Sequence, residues 1–160
     1  MLDNELSKSA HIVQKCLCDK GLPFKVVQLS ESTRTAQEAA NTIGCKVAQI
    51  VKFLVFRTKD TGKAILILAS GVNRVNEKKF KELLGEELTR PDAEFVREVT
   101  GFAIGGIPPV GHKNSIETYI DEDLLTLKEL WAAAGTPNAV FSLPSGEIVN
   151  LTGGKVVSVY

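Results

Sequence analysis

Ile50-Val51-Lys52-Phe53-Leu54-Val55-Phe56 is an apolar run with one lysine inside it. Its β-branched and aromatic residues favour a strand over Gln49 to Thr58. Strand side chains alternate, so Ile50, Lys52, Leu54 and Phe56 share one face and Val51, Phe53 and Val55 the other. Both faces are apolar apart from the lysine, which predicts a strand inside a sheet. Lys59-Asp60-Thr61-Gly62 reads as a turn. Lys63-Ala64-Ile65-Leu66-Ile67-Leu68-Ala69 reads as a second strand, apolar almost throughout. The pair predicts a central antiparallel hairpin, buried on both faces.

Helices and shorter strands surround this hairpin. Ser7 to Lys20 carries Ile12, Val13, Cys16 and Leu17 at helical spacing, with Gly21 as its stop. Phe24 to Leu29 predicts a short strand, and Ser30 to Thr33 a polar loop. Thr35 and Glu38 form a capping box for a helix through Ala39, Ala40 and Ile43, stopped by Gly44. Asn76 begins a helix through Phe80, Leu83 and Leu84. Pro91 takes a first-turn position in another, carrying Phe95, Val96 and Val99. Ser115 to Ile120 predicts a strand, and Leu124 to Ala134 a helix around Leu127, Leu130 and Trp131. Ala139 to Ser142 and Glu147 to Leu151 predict a hairpin across Pro144-Ser145-Gly146, with a short strand within Lys155 to Tyr160. Strands alternating with helices predict a mixed α/β fold, its central sheet mixed and mainly antiparallel, flanked by helices.

The 160 residues are expected to form one compact domain. Apolar residues make up 44% and charged residues 24%, an ordinary globular balance. The formal net charge is +0, so no global basic field exists and any nucleic-acid contact must come from a local patch. Three cysteines, Cys16, Cys18 and Cys45, lack any Cys–His metal spacing and read as reduced thiols. No metal or other cofactor is expected. The first residues lack the basic and apolar regions of a signal peptide, and no apolar run approaches the ~20 residues of a membrane span. A cytoplasmic protein with no membrane partner is expected.

Lys52 has two readings. It snorkels or pairs with a glutamate, or it holds a carboxylate, phosphate or developing oxyanion. Gly105-Gly106-Ile107-Pro108-Pro109-Val110-Gly111-His112 is the second stretch of interest. Its adjacent glycines allow close backbone approach to a ligand, and its prolines stiffen the chain and remove two donors. The alternative is a rigid connection between strands. The loop lacks the Gly-Lys-Ser/Thr ending of a phosphate loop. His112 follows the glycines, whereas His11 reads as structural and Cys45 as a small packed residue. Ser70, Gly71 and Asn76 follow the second hairpin strand and could line the same pocket.

Thr33-Arg34-Thr35, Gln49-Ile50-Val51-Lys52, Ala69-Ser70-Gly71, Thr100-Gly101 and Gly105 to His112 occur in one order with one spacing. This ordered set resembles the YbaK/prolyl-tRNA synthetase-associated editing domain family over about residues 22–158. The resemblance implies a barrel-like α/β fold and trans-editing hydrolysis of a mischarged aminoacyl-tRNA, typically tRNA-Pro, by a metal-independent deacylase. It implies prolyl-tRNA synthetase as a further partner. It matches the family's lysine to Lys52 and its glycine-proline loop to Gly105 through Pro109, with His112 helping to shape the amino-acid pocket. Lys52, Gly105 and Gly106 are then the expected catalytic groups. Ile50, Thr33, Ser70, Gly71, Asn76, Pro109 and His112 are the expected substrate-binding set. Some relatives carry an acidic residue soon after the Ser-Gly, where this chain has Asn73-Arg74-Val75-Asn76. A non-catalytic tRNA- or synthetase-binding module and a small-molecule esterase of the same fold are the competing readings.

Overall fold

The computed structural model describes residues 6–30 and 35–160. In chain order its elements are α1 (Lys8–Asp19), β1 (Val27–Gln28), α2 (Ala36–Ile43), β2 (Val51–Thr58) and β3 (Ala64–Ser70). Then come α3 (Glu77–Leu84), β4 (Leu88–Thr89), α4 (Ala93–Thr100), β5 (Glu117–Asp121), β6 (Glu129–Ala133), β7 (Ala139–Pro144), α5 (Ser145–Thr152) and β8 (Lys155–Val157). Short 3-10 turns cover Val47–Gln49 and Glu122–Thr126.

The expected hairpin is the centre of the molecule. β2 and β3 pair antiparallel from Val51 opposite Ser70 to Arg57 opposite Ala64. They sit inside a five-stranded sheet of order β4-β2-β3-β5-β8. β2–β4 is antiparallel, while β3–β5 and β5–β8 are parallel, so the sheet is mixed. A second sheet, β1-β7-β6, is antiparallel. A parallel bridge between Ile50 and Trp131 lies where the two sheets approach. No closed barrel forms among the described residues.

β3 shows why its sequence is apolar at every position. Leu66 and Leu68 pack into the main core with α1 residues Val13 and Leu17, Phe141 of β7 and Ile148 of α5. Ile65, Ile67 and Ala69 face the other side, against Phe56, Phe80 and Val159. A strand covered on both faces cannot alternate with polar residues. β2 alternates between the same layers, Val51, Phe53 and Val55 toward the first and Leu54 and Phe56 toward the second. Among the described residues, no helix is long and apolar enough to cross a membrane.

Four expectations are corrected. Leu124 to Ala134 is a 3-10 turn followed by β6. The leucine spacing mimicked a helix, but Leu130 and Ala132 are buried while Trp131 and Ala133 are half-buried, the period of a strand. Glu147 to Leu151 lies in α5. Its β-branched residues suggested a strand, yet Glu147 occupies the first turn and Gly153 closes the helix at φ 65°. Pro91 precedes the α4 cap, which is Asp92 accepting from the Phe95 amide at 2.8 Å. The strand expected over Phe24 to Leu29 shrinks to the two residues of β1.

Phe141 is fully buried where β7 meets β3, α1 and α5. Phe141→Ala is expected to lower unfolding free energy by about 3–5 kcal/mol, read as a reduced urea midpoint with an unchanged slope.

Candidate active site

The cleft starts from local backbone constraints. Thr35 Oγ1 accepts from the Glu38 amide at 3.1 Å, and the Glu38 carboxylate accepts from the Thr35 amide at 3.2 Å. This capping box fixes the entry of α2, which closes at Gly44 with φ 86°. The chain then turns through Val47–Gln49 into β2. Gly71, just past β3, lies directly under that turn and donates its amide to the Ile50 carbonyl at 2.8 Å. A Cβ on Gly71 would sit 2.3 Å from the Val47 carbonyl oxygen, so only glycine fits.

α2, the start of β2, β6 and the 104–107 loop enclose a cleft of about 580 Å³. This volume suits a small-molecule-sized group. Lys52, Gly105, Ile107, Gly71, Ile50 and Trp131 are among its lining residues. Lys52 and the glycine loop, distant in sequence, therefore share one pocket.

Lys52 is half-buried, and its ammonium donates to the Asn73 carbonyl. Burial, then the Arg74 charge, lowers its pKa below the ordinary 10.5, while Asp121 opposes that shift. Asn73 is itself held. Its Nδ2 donates to Asp121 Oδ2 at 2.8 Å and to Asp123 Oδ2 at 2.9 Å. Asp121 is wholly buried and accepts also from the Ser70 amide at 3.0 Å and the Asp123 amide at 2.9 Å. The chain of contacts runs from β5 through the Asn73 turn to the Lys52 ammonium.

The glycine loop divides its amides. Gly106 donates to the Ala103 carbonyl at 3.0 Å and accepts from the Gly135 amide at 2.8 Å. A Cβ there would lie 2.7 Å from the Thr136 backbone. Gly106 is thus buried packing, and its amide is occupied within the loop. Gly105, at φ 92°, is exposed on the cleft wall. The Gly105 and Ile107 amides make no hydrogen bond among the described residues. Both residues line the cleft, with Gly105 exposed and Ile107 buried.

The other expected residues separate. Ile50 and Gly71 line the cleft. Ser70 is buried beside it, donating its hydroxyl to the Ala48 carbonyl at 2.8 Å. Asn76 caps α3, accepting from the Lys79 amide at 3.2 Å, and is absent from the cleft wall. Pro109 and His112 line a different cavity. The His112 Nε2 is 2.6 Å from the Pro108 carbonyl. Thr33 lies outside the described residues. Sequence reasoning missed Trp131, Asp121 and Asn73 as parts of the site. Trp131 is the only tryptophan in the chain, and an acidic residue closing an apolar strand was the available signal for Asp121.

A family profile described as the aminoacyl-tRNA editing domain matches residues 30–151. The chain belongs to that family. The editing domain superposes on a solved structure described as a candidate trans-editing enzyme for prolyl tRNA synthetase with a TM-score of 0.89. The two are 50% identical, and the match covers 96% of this chain and 98% of that one. A Thermoanaerobacter (strain X514) proline–tRNA ligase is 28% identical over 130 residues, 79% of this editing domain and 22% of the ligase. An Enterococcus faecalis candidate Cys-tRNA(Pro)/Cys-tRNA(Cys) deacylase, EbsC, is 27% identical over 145 residues, 82% of this chain and 86% of its own length.

Burial lowers the His112 pKa in the folded editing domain below 6.5, against a smaller opposing effect of the Pro108 carbonyl. The unfolded chain therefore binds more protons between the lowered value and about 6.5, so stability rises with pH across that window and is lost as pH falls through it. A series of urea midpoints against pH is expected to show this rise, and His112→Gln is expected to flatten it.

Proposed function

We propose that this chain hydrolyses the ester of mischarged aminoacyl-tRNA, with tRNA-Pro as substrate and prolyl-tRNA synthetase as the enzyme whose errors it corrects. The observation that carries this reading is the shared cleft of Lys52 and Gly105. Family membership and the similarity to a candidate trans-editing enzyme support the reaction class. EbsC supports the deacylase assignment and tRNA-Pro as the carrier.

The chemistry follows from the wall of the cleft. Water attacks the ester carbonyl carbon, and a tetrahedral oxyanion forms. The Gly105 and Ile107 amides stabilise that oxygen, since donors aimed at developing charge lower the barrier most in a partly dry site. Lys52, anchored on Asn73, adds positive potential and holds the phosphate or ribose of the tRNA end. The bond to the ribose oxygen then breaks, that oxygen takes a proton, and free amino acid and tRNA leave. A substrate hydroxyl, the ribose 2′-OH, or a side-chain thiol assists the attack. Trp131, Ile107 and Val140 present apolar surface to the acyl group and select it by volume.

Single-turnover deacylation of Ala-, Cys-, Ser- and Thr-charged tRNA-Pro tests the reading. Release of at least one amino acid is expected from the wild type, with a loss of about 10²–10³ in rate for a folded Lys52→Ala protein. An unchanged rate in that variant would remove Lys52 from the mechanism. Inactivity of the wild type on the whole panel would favour a binding module. Because Trp131 lines the cleft and is the only tryptophan, a non-hydrolysable aminoacyl-adenosine analogue is expected to change intrinsic fluorescence saturably. Constant emission through saturation would place the ligand elsewhere.

A further inference from the structure

The far end of the glycine-proline loop opens onto a second cavity, of about 250 Å³. Its size suits one small group better than a whole ligand. Lys20, Lys113, His112, Asn114 and Ser115 are among its lining residues, and no carboxylate lines it. Two lysines converge here in a chain whose net charge is +0. The ion pairs among the described residues engage Lys15, Lys59, Lys63, Lys81 and Arg90, leaving Lys20 and Lys113 without a carboxylate partner. The neighbouring Asp19, one candidate to neutralise Lys20, is already paired with Lys15 at 2.8 Å.

The backbone beneath these groups is anchored. The Lys20 amide donates to Cys16 at the end of α1, at 3.2 Å. The Lys113 and Asn114 amides donate to the Thr100 and Val99 carbonyls of α4, at 3.0 and 3.3 Å. Gly111, at φ 82°, makes the turn that brings His112 and Lys113 round, and the His112 contact with Pro108 closes it. The cavity is therefore a cradle of anchored backbone with two exposed lysines on it.

We propose that this cavity binds a phosphate group. Two unpaired ammoniums supply the charge, and Asn114 and Ser115 supply neutral donors for a tetrahedral anion with several oxygens. A phosphodiester of an RNA backbone and a small phosphorylated molecule carry the same chemistry. The site does not depend on the esterolytic reading, because binding here and hydrolysis in the cleft are measured separately.

The test follows the His112, Lys113 and Asn114 amide resonances by NMR in the full chain, in phosphate-free buffer at constant ionic strength. Inorganic phosphate is the first probe and uncharged tRNA the second. Saturable shifts of these three resonances are expected. They should weaken at least tenfold in the Lys20→Ala/Lys113→Ala protein, whose exposed substitutions should leave its thermal midpoint unchanged. Shifts with tRNA would assign an RNA backbone phosphate. In that case the double variant's slope of log affinity against log salt should shrink by about 0.9 per lost phosphate contact. Shifts with inorganic phosphate alone would assign a small phosphorylated ligand. Absence of shifts with both probes, or shifts that persist undiminished in the double variant, would overturn the proposal.

Discussion

The Asp121 carboxylate is the contact on which the cleft depends. It lies at the end of β5, beyond the reach of solvent, and accepts from the Ser70 amide, the Asn73 side chain and the Asp123 amide. A buried carboxylate persists only when such donors replace its lost water. Those donors hold together the ends of β3 and β5 and the turn that receives Lys52. Without the carboxylate, each buried donor left unpaired would cost about 1–3 kcal/mol. The position of the lysine is therefore set by a residue nearly seventy positions away, through one carbonyl.

A second constraint is close backbone approach. Gly71 lies under the Val47 carbonyl, and Gly106 lies against the Thr136 backbone. Neither glycine is needed for a left-handed turn, since the left-handed glycines of the loop are Gly105 and Gly111. They are needed because a Cβ would push the cleft walls apart. The adjacent glycines thus divide the labour: one gives the wall its exposed amide, the other lets the loop pack on the 135–137 turn. That division is invisible in a Gly-Gly pair read as text.

Much of the scaffold was legible because its signals are local. The Thr35–Glu38 capping box, the Asn76 cap and the β2–β3 hairpin depend on neighbours in the chain, and all are present. Errors arose where periodicity was ambiguous. Leu124, Leu127, Leu130 and Trp131 fit a helical stripe, but β6 pairs antiparallel with β7 from Glu129 opposite Pro144 to Ala133 opposite Val140, a long-range pairing that local spacing does not reveal. Residues 147–151 fit a strand by β-branching, and α5 won because its apolar side could lie on the core through Ile148.

The site divides in the same way. The sequence by itself determined that Lys52 stands in an apolar strand, that the 105–112 loop is stiff and rich in glycine, and which family these motifs resemble. Only the tertiary structure decided that Lys52 and Gly105 share a cleft while His112 and Pro109 line another cavity. It alone brought in Asp121, Asn73 and Trp131, and it took the Gly106 amide out of use. The physical reason is range: caps, turns and strand alternation are set within a few residues, whereas a pocket is made by side chains and amides that meet only after distant strands have paired.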